Sequence, residues 1–154
     1  MRHAGMGFTL LELVIVIVIS GMLMMIAAPR ISEARNTANL VSAREQVSAA
    51  ISTARAAAIQ KGEPVTVRFT AAGPSATIRG RTGAEVRIIP PVDLRSVYGV
   101  TVSTRTDSIR FDSRGLAAPK LSERAVFRMT GLGGGVDSVC VGVLGQIMPR
   151  GCSL

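Results

Sequence analysis

Apolar residues follow three regimes along this chain. From Phe8 to Ala28 they are nearly continuous: FTLLELVIVIVISGMLMMIAA is interrupted only by Thr9, Glu12, Ser20 and Gly21. That is close to the roughly 20 residues a helix needs to span hydrocarbon. From Ile31 to Lys61 the chain is rich in Ala, Arg, Gln and Glu with no internal Gly or Pro, and its apolar positions take helical spacing. Leu40, Val47, Ile51, Ala54 and Ala58 fall on one stripe that should pack on the rest of the protein, while Arg44, Glu45, Ser52 and Arg55 mostly face away. From Val65 onward the period becomes two.

Alternation predicts strands near Val65 to Phe69, Ala76 to Arg79, Val86 to Ile89, Val100 to Ser103, Ser108 to Phe111, Ala125 to Met129 and Val139 to Val143. Turn signals AAGPS, RTG, IPP, DSRG and GLGGG separate them. Gly62 and Pro64 mark the end of the preceding helix, and Pro29 removes a backbone donor and predicts a kink rather than a stop. The expected fold class is α+β: a long N-terminal helix, its first half membrane-embedded, packed on an antiparallel β-sheet or sandwich body. The expected divisions are a leader at 1–7, a transmembrane and assembly helix at 8–28, its amphipathic continuation at 29–62 and a β-rich domain at 63–154. GLGGG at 131–135 reads as a flexible hairpin connection.

The polar exception in the apolar run is Glu12. A carboxylate at the centre of a bilayer costs about 2.5–3.5 kcal/mol on insertion scales, so it calls for a partner. A cut after Gly7 would give Phe8 a new α-amine, which four helical residues would place roughly 6 Å from the level of Glu12. Geometry makes that pairing awkward within one chain and feasible between neighbouring helices shifted along their axes. The leader MRHAGMG, the GFTLLE junction and the apolar helix behind it resemble the type III signal of type IV pilins and type II secretion pseudopilins. The resemblance implies that a prepilin peptidase cuts between Gly7 and Phe8 and methylates the amine of Phe8, and that Glu12 is the assembly residue. It also implies a cytoplasmic leader, a single pass through the inner membrane and a periplasmic body. The competing reading is an uncleaved signal anchor.

Three further segments narrow the likeness. TARAAAIQKGEPVTVRF at 53–69, FDSRG at 111–115 and a late VCVGVLGQI strand pair ending at Cys152 resemble the GspH/FimT branch of minor pilins and pseudopilins. The implied partners are the prepilin peptidase, other pilin or pseudopilin subunits and the inner-membrane assembly machinery.

Composition excludes more than it selects. His3, the one histidine, lies in the leader, so the cut chain lacks the usual base for Ser or Cys nucleophiles. No Walker loop is present, two cysteines make no zinc set, and Asp107 and Asp112 read as turn residues flanking a strand. No catalytic residue, metal or cofactor is expected. Cys140 and Cys152 form an even count that suits a disulfide in an oxidising compartment. A hairpin turning at Gly145 to Ile147 would set them opposite each other; two unpaired buried thiols are the alternative. The formal charge of +8, with 18 basic and 10 acidic residues, attracts polyanions. Some members of the resembled family bind DNA through a basic C-terminal GRxR segment. Here that hairpin reads GQIMPRG, which leaves Arg150 as the possible contact, with Arg79, Arg81 and Arg87 as another surface. The expected function is a non-catalytic minor pilin or secretion pseudopilin in a pilus-like filament, with DNA uptake in natural transformation as the alternative.

Overall fold

A computed structural model of the chain describes residues 8–70, 73–79, 83–118, 125–142 and 144–148. The chain divides into two compact units, Met1–Arg35 and Asn36–Leu154. Helix α1, Leu10–Lys61, contributes to both.

In the first unit Thr9 is the N-cap of α1. Its carbonyl accepts from the Leu13 N–H and its Oγ1 accepts from the Glu12 N–H, both at 3.2 Å. The helix carries through Pro29, and Ser32 Oγ donates to the Pro29 carbonyl at 3.0 Å. The large apolar side chains from Phe8 to Ile26 are all exposed.

In the second unit α1 buries Leu40, Ala43, Arg44, Val47, Ala50, Ile51, Ala54 and Ala58, a stripe in which every residue has a neighbour three or four positions away. Four of these are alanines, which let the helix backbone lie close to its neighbours. Val47 and Ile51 are fully buried and contribute about 1.5–3 kcal/mol each. Lys61 ends the helix, and Gly62 follows at φ 63°, the left-handed stop expected of a glycine there.

The strands are β1 (Val65–Thr70), β2 (Gly73–Arg79), β3 (Glu85–Ile89), β4 (Val100–Thr104), β5 (Ser108–Phe111), β6 (Ala117–Ala118), β7 (Ala125–Gly131), β8 (Val136–Val141) and β9 (Ile147–Met148). They form two antiparallel sheets, ordered β3-β2-β1-β5-β6 and β4-β7-β8-β9. Alternation sends Val65, Val67, Ala76, Ile78, Ile109 and Phe111 of the first sheet into the core. Ala125, Phe127, Met129, Val139 and Val141 come from the second, and the Phe69 and Phe127 rings, 4.0 Å apart, join the two.

Three hairpins share one turn. In Asp112–Leu116, Gly131–Gly135 and Gly142–Gln146 the first N–H donates to the last carbonyl, and the fourth N–H to the first carbonyl. The fourth residue is a glycine at φ 75–76° in each. This is a type I turn closed by a glycine bulge.

Several expectations change. GLGGG is a tight β7–β8 hairpin packed on α1, not a loose connection: a Cβ on Gly133 would lie 2.8 Å from Asn36 Nδ2, and one on Gly135 3.4 Å from Leu40. Arg44 is buried and Arg55 half-buried because they stand four residues after Leu40 and Ile51, on the same stripe. A short helix, α2 (Leu94–Tyr98), was not expected. Asp93 caps it by accepting from the Arg95 and Ser96 N–H groups, and Gly99 closes it at φ 65°. Those backbone donors, Ser96 first, hold the Asp93 carboxyl below its ordinary value of 3.8.

The C-terminal hairpin also differs in register. Cys140 stands opposite Met148 and Val141 opposite Ile147, because the left-handed glycine at 145 closes the turn at 142–146 rather than 145–147. Cys140 therefore faces Met148 across the ladder rather than standing at the position the expected turn gave it, and Cys152 lies outside the described residues.

Candidate functional site

The first unit presents an 18-residue-plus apolar helix with no burial inside the protein, long and apolar enough by composition to cross a membrane. Glu12 lies in its first turn and is exposed. Thr9-Leu10-Leu11-Glu12 matches the Ser/Thr-x-x-Glu capping signature, and the structure makes half of it, the Thr9 Oγ1 bond to the Glu12 N–H. Glu12 thus has a local role that the membrane-partner argument missed, although the four-residue pattern was present in the sequence. Its negative charge also sits at the positive end of the helix dipole. Among the described residues its carboxylate has no hydrogen bond or ion pair.

Phe8 precedes the cap and is 78 % exposed. It lies outside the helix, so an axial offset counted over four helical residues does not apply to it. Gly7 and the rest of the leader lie outside the described residues, as do Arg81, Arg150 and Cys152.

In the second unit two arginines of α1 tie distant segments together. Arg44 Nη1 donates to Asp137 Oδ2 at 3.0 Å, and Asp137 lies on the inner face of β8 beside Met129. Among the described residues the buried Arg44 Nε has no hydrogen-bond partner. Arg55 Nε donates to the Gly115 carbonyl at 2.9 Å and its Nη1 to the Gly145 carbonyl at 3.2 Å. The two turns also touch directly: a Cβ on Gly145 would lie 3.0 Å from the Gly115 oxygen and 3.1 Å from the Phe111 ring. One guanidinium therefore joins the helix, the FDSRG turn and the C-terminal hairpin, which are the three segments that carried the sequence resemblance.

Cys140 is 1 % exposed, yet it alternates with the core residues Val139 and Val141 and so faces the other side of β8. Asp112 Oδ1 accepts from the Arg114 and Leu116 N–H groups at 2.9 Å, which is turn-building geometry. Asp107 offers its carbonyl to the Phe69 N–H at 3.0 Å. Among the described residues no three His, Cys, Asp or Glu side chains gather as a metal site.

No protein-family model matches the sequence, and no curated protein matches it. The structure is similar to two crystal structures of the type IV minor pilin FimU of Pseudomonas aeruginosa. One aligns at TM-score 0.56 and 18 % identity over 73 % of this chain and 88 % of that one. The other aligns at TM-score 0.57 and 15 % identity over 71 % and 91 %. The fold, a long N-terminal helix and antiparallel sheets, is a type IV minor pilin fold.

Proposed function

We propose that this chain is a non-catalytic subunit of a pilus-like filament, either a minor pilin or a type II secretion pseudopilin. A prepilin peptidase cuts it between Gly7 and Phe8 and methylates Phe8. The apolar helix holds it in the inner membrane as a single pass with the body in the periplasm, and the assembly machinery moves it into a filament of pilin-like subunits. The observation that carries this reading is an apolar helix left wholly uncovered, with a carboxylate in its first turn, in a chain of minor pilin fold.

Lateral packing of such helices removes their apolar faces from lipid or water. Glu12 pairs with the α-amine of Phe8 on a neighbouring subunit, offsetting the desolvation of both and setting the axial register. Pro29 kinks the helix. Cys140 and Cys152 close a disulfide that pins the C-terminus; the burial of Cys140 on the face of β8 turned away from the core supports a covering partner there.

The test is expression in cells carrying the peptidase and its filament machinery. Mass analysis should find the mature chain beginning at methylated Phe8. Glu12→Ala should stay folded and membrane-bound but fall at least about tenfold in sheared filaments, the equivalent of about 1.4 kcal/mol. An intact Met1 terminus, or normal incorporation of Glu12→Ala, overturns the reading.

A further inference from the structure

The edge of a sheet is a row of unpaired N–H and C=O groups, and folded chains blunt it with charge, proline, bulges or short strands. Among the described residues the two sheets end on β3, β6, β4 and β9. β3 carries Glu85 and Arg87, meets β2 with a register shift at Ala76/Thr77 and runs into Pro90 and Pro91. β6 and β9 are described over two residues each. β4 has none of these protections: its sequence, VTVST, is uncharged and rich in β-branched residues, and its ladder with β7 is regular.

The neighbouring turn fixes which groups of β4 face its open side. The Gly131 N–H donates to the Gly135 carbonyl and the Gly131 carbonyl accepts from Gly134, so Gly131 directs its main chain toward β8. Direction alternates along an antiparallel strand, so Thr130 and Arg128 point toward β4, and their partners Thr101 and Ser103 point back. Val100, Val102 and Thr104 are left facing outward. Val100 is 1 % exposed, which closes that end, whereas Val102 and Thr104 are half-buried. Among the described residues the edge N–H and C=O groups of these two have no partner strand. Beside them lies a slot of about 330 Å³, lined by Phe69 and Thr70 of β1, Gly73 and Pro74 of β2, and Val102, Ser103 and Thr104. Phe69 is held from behind by the Phe127 ring, 4.0 Å away.

We infer that β4 takes an extended segment of a partner protein as an added antiparallel strand, with an apolar side chain in the slot and acidic residues flanking it. Main-chain bonds to Val102 and Thr104 supply affinity, and the slot reads alternate side chains. The residue opposite Val102 turns its side chain to the same face as Val102, toward Phe69 and Pro74. Exposed cations border the strand: Arg105 follows Thr104, Arg128 stands opposite Ser103 and Arg68 precedes Phe69, against the carboxylate of Asp107. That balance favours carboxylates on the partner. A second copy of the chain fits less well, because edge-to-edge pairing over so short a stretch falls below the roughly 1,200–2,000 Å² of a stable interface. The site lies wholly in the second unit and stands apart from the filament reading, since none of its residues belongs to the helix or the leader.

The test uses the full chain in a neutral detergent with the peptide fluorescein-Glu-Val-Thr-Leu-Thr-Val-Glu, followed by anisotropy at about 50 mM NaCl. Saturable binding with Kd below about 1 mM is expected. N-methylation of the central leucine removes the donor that faces the Val102 carbonyl and should weaken binding about tenfold or more. N-methylation of the threonine after it, whose N–H points away from β4, should stay within about threefold. Val102→Pro deletes the outward donor without touching the β7 ladder and should also weaken binding about tenfold. Circular dichroism checks its folding, and the methylated peptides probe the same bond on the unaltered chain. Exchanging both terminal glutamates for lysine should weaken binding about tenfold at this salt. No saturable binding, equal loss from the two methylations, or unchanged affinity with lysine ends overturns the proposal. A concentration-dependent dimer of the wild type that Val102→Pro abolishes assigns the edge to a second copy and overturns it as well.

Discussion

Replacing Arg55 by alanine should loosen two turns that lie 30 residues apart in sequence. The side chain supplies two charge-assisted bonds, at 2.9 and 3.2 Å, to the carbonyls of Gly115 and Gly145. Hydrogen bonds to charged groups are worth about 1.5–3 kcal/mol each, and partial exposure of Arg55 favours the lower end, because water can reach a vacated carbonyl. The expected loss is therefore about 2–3 kcal/mol. For a body of this size that lowers the melting temperature by roughly 10 °C. Arg55→Lys keeps the charge and the aliphatic stem but cannot place two forked donors, so it should recover about half. The assay is thermal unfolding of the full chain in detergent, followed by strand-region circular dichroism, together with hydrogen exchange. Exchange should accelerate first at 112–118 and 144–148 in Arg55→Ala, with β7 and the α1 stripe protected. A melting shift below about 2 °C refutes the clamp, as does acceleration spread evenly over all strands.

Other positions give sharp contrasts. Gly73→Ala should cost about 3 kcal/mol or more, since its Cβ would lie 1.8 Å from the Val92 carbonyl oxygen at φ 94°, whereas Gly62→Ala, also left-handed but facing open space, should cost about 1 kcal/mol; urea midpoints compare them. Asp137→Ala leaves the buried Arg44 guanidinium with only a 3.9 Å contact to the exposed Glu45 carboxylate and should destabilise by about 2–3 kcal/mol, with much of the loss restored when Arg44→Met is added; a destabilisation that Arg44→Met deepens contradicts the pairing. At Asp93 the folded carboxyl titrates below 3.8, so the cap's contribution is complete above that value and is lost as pH falls through the lower folded value. Carboxyl NMR should place the Asp93 midpoint below 3.8, and Asp93→Asn should remove this acid sensitivity while keeping α2 capped.

Periodicity made the scaffold legible. The stripe from Leu40 to Ala58 is buried as its spacing required, and each alternating run from Val65 to Val141 overlaps an observed strand. Charge misled at Arg44 and Arg55: both occupy stripe positions, yet a long cationic side chain reads as solvent-facing unless its partner is known. Those partners, Asp137 and two glycine carbonyls, are 93, 60 and 90 residues away, and no local pattern encodes such pairings. Register was illegible for a related reason. A single left-handed glycine at 145 decides whether Cys140 meets Met148 or a residue further on, and GVLGQI permits more than one placement of its turn. Short α2 was missed because five residues carry too little periodicity, although Asp93 and Gly99 bracket it with both cap signals.

The segment most legible in sequence has the least to do in the fold. Among the described residues the buried core begins at Leu40 and closes on Ile51, Phe111 and Phe127, so the side chains from Phe8 to Ile26 contribute nothing to it. An apolar surface of that length is unfavourable in water, and an exposed carboxylate in its first turn is unfavourable in hydrocarbon. Lipid alone relieves the first cost and aggravates the second. The lateral array proposed above would relieve both, by covering the apolar faces and by bringing a neighbour's Phe8 amine to the carboxylate. That is the physical reason to seek the function of this chain between subunits rather than within its body.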